Sequence, residues 1–128
     1  MNVFCDEVNR YISRYPYQLQ NLCADALISD DVLWNIRNGR KLRKESVIAL
    51  LIALGCNEDE MQQSLMNAGF LLSRSIASDV VVHWMVENCD RTSGGVLLRQ
   101  INYELDALGM PLIMMKHRRT KEQRSSDI

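Results

Sequence analysis

One segment of the chain is apolar on every side, namely residues 46–55 with the sequence SVIALLIALG. A helix at a protein surface repeats apolar positions with a period of 3.6 residues, and this segment has no such period. A helix of this kind is stable only where neighbouring elements cover it on several sides. Those neighbours are expected to be helices, because the 128 residues include only two Pro and six Gly and are rich in helix formers. The sequence therefore predicts an all-α fold, without a sheet, around this central helix.

Further helices are predicted on both sides of the central one, over residues 3–14, 75–87 and 96–107. Asn57 and Glu60 have the spacing of a capping box, which indicates another helix just after the central one. In the last two predicted helices, apolar residues recur three and four positions apart, as on the buried side of a helix. The side chains expected to face inward there are Ile76, Val80, Val81, Trp84, Met85, Leu98, Ile101, Leu105 and Leu108.

The stretch QNLCADALISDDVLWNIRNGRKLRK, residues 20–44, predicts two short helices joined by a tight turn. Ser29 is placed to cap the second of these helices, and the helix dipole favours carboxylates in its first turn. Gly39 is expected to end it, because glycine adopts the left-handed conformation without steric cost. Leu19, at the start of the first short helix, is placed on the inward face.

This stretch resembles the helix-turn-helix of the lambda-repressor-like family, which includes phage repressors and many small bacterial regulators. The residues that carry the resemblance are Leu22, Cys23, Ser29, Leu33, Ile36, Asn38 and Gly39. The likeness continues through GRKLRKESVIALLIALGCNEDEMQQSLMNAGFLLS, which is similar to the loop, the buried fourth helix and the fifth helix of the family. The resemblance implies a five-helix domain over residues 1–74. A two-helix extension over 75–115 and a basic tail over 116–128, which we expect to be disordered, complete the predicted organisation.

In that family the second helix of the motif lies in the DNA major groove, and the following loop runs along the phosphates. The resemblance therefore implies a DNA-binding transcriptional regulator whose partner is double-stranded DNA. The residues that would contact DNA are Ser29, Asp31, Trp34, Asn35, Arg37, Arg40, Lys41, Arg43 and Lys44. Although the formal net charge of the chain is only −1, the five cations of this set follow one another without an intervening acid.

An alternative function follows from departures from the family pattern. Leu19 stands where a glutamine is common, Leu27 replaces the turn glycine, and Leu42 replaces a common proline. Asp30 and Asp31 begin the helix that would read bases, and carboxylates are repelled by phosphates even though they can accept from cytosine. A helix-turn-helix that no longer reads DNA can act as a protein-interaction adaptor in a signalling or defence system.

Residues 75–112 carry more apolar surface than a pair of helices can bury alone. Two arrangements would cover this surface. The pair can pack onto the first five helices, or it can form a homodimer that places two recognition helices about 34 Å apart, one turn of DNA.

Other functional classes are not expected. Neither His83 nor His117 is paired with a Cys or Ser at a spacing typical of a nucleophile and its base, so the sequence does not predict an enzyme. The four cysteines show no Cys-x-x-Cys spacing, and the acidic run at 58–60 is interpreted as a helix start, so neither a metal site nor a cofactor is predicted. With no signal peptide and no run of 18 apolar residues, a cytoplasmic protein that does not cross a membrane is expected.

Overall fold

A computed structural model describes residues 2–89 and 93–115, and this part of the chain contains seven helices and no strand. The helices are α1 (Val3–Ser13), α2 (Leu19–Ala26), α3 (Asp30–Arg37), α4 (Lys44–Ala53), α5 (Glu58–Asn67), α6 (Ala77–Asn88) and α7 (Gly94–Ala107). The predicted all-α class is confirmed for these residues. The tail over 116–128, predicted to be disordered, lies outside the described residues.

Helix α4 is the centre of the fold. Each of its residues from Ser46 to Ala53 is buried, and the helix packs against α2, α5 and α7. Because neighbours cover it on several sides, none of these positions has to be polar, which explains the absence of a period in its sequence. The predicted central helix is thus confirmed.

A buried polar network joins α1 to α5. The hydroxyl of Ser64 donates to Glu7 Oε1 at 3.1 Å, and Asn67 Nδ2 donates to the same oxygen at 2.9 Å. The hydroxyl of Tyr11 lies 3.1 Å from Ser64 Oγ. Glu7 is buried, so these hydrogen bonds compensate the cost of removing its carboxylate from water. They hold α1 in position on the bundle.

Helix α7 packs across α2 and α4, and α6 packs against α7 and α5. One hydrophobic cluster runs from Phe4 of α1 to Leu98, Ile101 and Leu105 of α7. Of the two arrangements considered for residues 75–112, packing onto the first five helices is therefore observed in the structure.

Three residues of α6 and its N-terminal cap that were predicted to face inward are exposed. Trp84 is 59% exposed, and Ile76 and Val80 are also exposed. Met85 is buried as predicted, and the other buried apolar residues of α6 are Val82 and Val86, which were not among the expected ones. Both sides of α6 are apolar, so periodicity alone does not distinguish the side that packs. Leu108, predicted to face inward from the end of α7, is exposed as well.

Helix α7 begins two residues earlier than predicted, and the reason is its close approach to α4. Ser93 caps α7 through its side chain, and Gly94 is its first residue. A Cβ atom at Gly94 would overlap the carbonyl oxygens of Ile52 and Ala53 at the end of α4. Gly94 therefore allows α7 and α4 to touch.

The segment after α7 is held by one buried side chain. The side-chain Nδ2 of Asn102 donates to the carbonyl oxygen of Ile113 at 3.1 Å. Oδ1 of the same side chain accepts from the backbone N–H of Ile113 at 2.7 Å. Leu112 and Ile113 are buried. This clamp returns the chain to the start of α4, where the backbone N–H of Met114 donates to Glu45.

None of the helices within residues 2–89 and 93–115 combines the length and the apolar character that a membrane span requires.

Candidate functional site

The predicted tight turn joins α2 to α3. Leu27 adopts the left-handed conformation, with φ 58° and ψ 35°, at the position where the sequence lacks a glycine. The backbone N–H of Ile28 donates to the carbonyl oxygen of Cys23 at 3.0 Å. Ser29 then caps α3, its hydroxyl accepting from the backbone N–H of Val32 at 3.2 Å. A leucine in this conformation costs about 1 kcal/mol, which the surrounding packing has to offset.

Helix α3 has one buried side and one open side. Leu33 and Ile36 are buried, and the helix packs against α1. On the opposite side Asp30 and Asp31 are exposed, and Trp34 is 54% exposed. An indole with this exposure next to a helix start is available to a partner molecule.

The end of α3 holds a cation over this open side. The Arg40 guanidinium lies 5.4 Å from the centroid of the Trp34 ring, which is a cation–π contact. The backbone N–H of Arg40 donates to Asn35 O at 2.8 Å, and Asn38 Nδ2 donates to Trp34 O at 2.8 Å. Gly39 has φ 67°, as predicted for the residue that ends α3. Arg40 is therefore positioned by the helix end.

The five cations predicted to contact DNA occupy different environments. Arg40, Lys41 and Arg43 are exposed in the loop between α3 and α4. Arg37 is half-buried, and its Nε donates to Asn9 Oδ1 at 3.2 Å. Lys44 forms an ion pair with Asp79 of α6. The structure thus brings three exposed cations together and uses the other two in contacts within the protein.

The two carboxylates at the start of α3, those of Asp30 and Asp31, have different surroundings. Cys23 Sγ donates to Asp30 Oδ1 at 3.3 Å. Burial, and secondly the hydrogen bond to Asp30, raise the pKa of the Cys23 thiol to about 11. The thiol therefore remains protonated at neutral pH and continues to donate. Asp31 is exposed and has no such support from α2.

A groove of 590 Å³ runs between α2 and α3 beside this surface. Leu19, expected to face inward, is 44% exposed and lines the groove together with Trp34. The residues that α2 buries are Leu22 and Ala26, so the prediction for Leu19 is wrong. The remaining lining residues are Asn9, Gln20, Cys23, Asp30, Leu33, Arg37 and Asn38.

A second depression, of 290 Å³, connects the site to the C-terminal segment. Asn35, Lys41 and Arg43 line it, and so does Met114. The described residues end at Met115, next to Met114 in the chain.

Comparison with protein-family models, with curated proteins and with solved structures gives no match.

Two features of the site were not found from the sequence. The stacking of Arg40 on Trp34 depends on how Gly39 turns the chain, and the pairing of Lys44 depends on Asp79, which is 35 positions away. A single sequence contains no signal for a contact over that separation.

Proposed function

We propose that this protein is a DNA-binding transcriptional regulator with a lambda-repressor-like arrangement. Helices α1 to α5 form its helix-turn-helix domain, α2 and α3 are the motif, and α3 enters the major groove. The observation that carries the proposal is the open side of α3 with the exposed cations Arg40, Lys41 and Arg43 beside it. A helix with cations at its end can lie in a groove while its flank neutralises phosphates.

Base reading is assigned to the first turns of α3. Asp31 can accept from the exocyclic amine of cytosine, and Asn35 can make the paired hydrogen bonds that recognise adenine. Trp34 offers an apolar surface to a thymine methyl group. Ser29 is a positioning residue, since its hydroxyl already accepts from the backbone of α3.

Phosphate binding is assigned to Arg40, Lys41 and Arg43, and the basic tail extends this surface in the sequence. The tail contains Lys116, Arg118, Arg119, Lys121 and Arg124. Met114, two residues before the tail, lines the same depression as Lys41 and Arg43. The cations of the tail offset the repulsion that Asp30 and Asp31 exert on a polyanion.

The proposal is tested by fluorescence anisotropy with duplex DNA at two salt concentrations, using both the DNA upstream of the gene and a random duplex. The triple variant R40A/K41A/R43A should bind both duplexes more weakly, and the plot of log K against log salt should be less steep by roughly 2 to 3. A matched double variant, R10A/R74A, removes exposed cations elsewhere and should leave the slope unchanged. No binding by the wild-type chain, or equal slopes for all three proteins, contradicts DNA binding.

A second candidate is a protein-interaction adaptor, and the groove between α2 and α3 favours it. Leu19 and Trp34 expose apolar surface there, next to the carboxylate of Asp30. Aromatic residues beside a concave surface are typical of the centres of protein interfaces. If the protein is an adaptor, the wild-type chain should not bind DNA at any salt concentration. W34A should then abolish binding to the protein partner.

A homodimer through residues 75–112 is part of the regulator proposal. Ile76, Val80 and Trp84 form an exposed row along α6, with spacings of four residues, and such a row can pack on its own copy across a two-fold axis. Sedimentation equilibrium should show a dimer for the wild-type chain and a monomer for V80E/W84E. A monomer in both cases contradicts this contact.

A further inference from the structure

Helices α5 and α6 present four polar side chains to one another, away from the α3 surface. Glu58 and Gln62 belong to α5, and His83 and Glu87 belong to α6. The two members of each pair are separated by four residues, so they lie on the same face of their helix. The two helices therefore bring one imidazole, two carboxylates and one amide to a single place.

The distances between these side chains suit a small metal ion. His83 Nε2 lies 2.8 Å from Glu58 Oε1 and 3.7 Å from Glu87 Oε2. One ligand atom from each of these three residues can be chosen so that all lie within 4.8 Å of one another. A tetrahedral ion with bonds of about 2.1 Å requires neighbouring ligand atoms roughly 3.4 Å apart, so changes of rotamer alone would complete the geometry.

We propose that Glu58, His83 and Glu87 bind a divalent transition-metal ion of the zinc class. One imidazole with two carboxylates is a ligand set that zinc accepts, whereas calcium and magnesium prefer oxygen ligands only. His83 binds through Nε2, and the ion balances the charges of Glu58 and Glu87. These two carboxylates come from different helices, so the ion links α5 to α6.

Gln62 is assigned as a supporting residue. Its amide nitrogen lies 3.3 Å from His83 Nε2 and also contacts Glu58. Rotation of the amide by 180° directs its oxygen to the same position, where it can complete the coordination or hold a bound water. The chemical identity of Gln62 therefore suits a metal as well as the hydrogen bonds seen between α5 and α6.

The neighbouring acids show why Glu58 has this role. Glu60 is occupied, because it accepts from Arg14 at 2.7 Å and closes the capping box with Asn57. Glu58 instead projects from the first position of α5 towards α6 and reaches His83. The acidic run that the sequence presents as a helix start is therefore divided between a cap and the proposed metal site.

The experiment is a titration of the full chain with Co²⁺, followed by visible absorption, and competition with Zn²⁺, followed by calorimetry. The wild-type chain should bind one ion and show the visible bands of four-coordinate cobalt. H83A and E87Q should each bind at least about tenfold more weakly, since each removes a ligand. H117Q is the matched control, because it replaces the one other histidine of the chain, and its binding should equal that of the wild type.

Three results would overturn the proposal. They are no binding of Co²⁺ or Zn²⁺ by the wild-type chain, binding by H83A and E87Q that is as tight as that of the wild type, and absorption bands of thiolate-to-cobalt charge transfer, which would assign the ion to cysteines. Circular dichroism shows whether H83A is folded. If it is not, E87Q decides, because Glu87 is exposed and its loss leaves the packing of α6 intact.

Discussion

The ammonium group of Lys44, the first residue of α4, lies 2.5 Å from the carboxylate of Asp79 in the first turn of α6. Asp79 is buried and also accepts from the backbone N–H of Ser73 at 2.8 Å. A buried carboxylate requires such partners, because its removal from water is costly. Lys44 therefore fastens α6 to the central helix, although its neighbours Lys41 and Arg43 face solvent.

This pair predicts that K44A destabilises the protein while K41A does not. Loss of the charged hydrogen bond should lower the free energy of unfolding by about 1.5 to 3 kcal/mol, and D79A should cost more because Ser73 also loses its acceptor. Denaturation in urea measures both effects. K41A, which changes an exposed lysine of the same loop, is the control and should stay within about 0.5 kcal/mol of the wild type. Equal stabilities of K44A and K41A would show that the pair contributes nothing.

Trp84 is expected to be dispensable for the folding of the single chain. At protein concentrations low enough to keep the chain monomeric, W84A should lower the free energy of unfolding by less than about 1 kcal/mol, because Trp84 is 59% exposed in the single chain. L98A, in the core of α7, should cost about 2 to 5 kcal/mol in the same measurement. A loss for W84A as large as that for L98A would mean that Trp84 is covered in solution, as in the proposed homodimer. Repeating the measurement at several protein concentrations separates these cases, since only a dimer depends on concentration.

Substitution of Gly94 tests the contact between α7 and α4. In G94A the new methyl group would overlap the carbonyl oxygens of Ile52 and Ala53, and backbone atoms cannot rotate away as a side chain would. We expect a loss of about 2 kcal/mol or more in the free energy of unfolding, despite the higher helix propensity of alanine. V96A, at an exposed position of the same helix, is the matched control and should change stability by less than about 0.5 kcal/mol. A G94A protein as stable as V96A would contradict the close approach.

The ion pair between Arg14 and Glu60 predicts a dependence of stability on pH. The hydrogen bond from Arg14, and secondly the backbone hydrogen bond from Asn57, hold the pKa of Glu60 below its usual value of 4.5. A carboxyl group with a lowered pKa in the folded state contributes stability above pH 4.5, and this contribution disappears as the pH falls through the folded pKa.

E60Q tests this contribution, because glutamine keeps an oxygen for the capping box but removes the charge and one of the two oxygens that accept from Arg14. The wild type should be more stable than E60Q near neutral pH, and the difference should shrink when the pH falls below about 4.5. Thermal unfolding at a series of pH values measures it. A difference that does not vary with pH would assign the effect of E60Q to packing instead of charge.

Several elements could be predicted because their cause is local. The caps at Asn2, Ser29 and Asn57 are bonds between residues two or three positions apart, so the sequence contains both partners. The end of α3 follows in the same way from Gly39. The uniform burial of α4 was predictable because a helix without a polar side has no other stable environment.

The side of α6 that packs was not predictable, because Trp84 and Met85 are apolar neighbours on different faces. The packing of α6 against α5 and α7 leaves Met85 buried and Trp84 exposed. In the candidate site the sequence predicted the basic loop and placed Trp34 among the DNA contacts, but it contained no signal for the pairing of Lys44. Asp79, the partner of Lys44, belongs to another helix, and the residues around Lys44 in the sequence do not indicate this ion pair.

Composition and local pattern were thus sufficient for the all-helical class, the central place of α4 and the boundaries of most helices, because these depend on bonds and periods within a few residues. Tertiary structure alone decided which cations are exposed, which face of α6 is covered, why α7 starts with glycine and how Glu58 meets His83. These properties depend on groups far apart in the chain, and their energies arise only when packing brings the helices into contact.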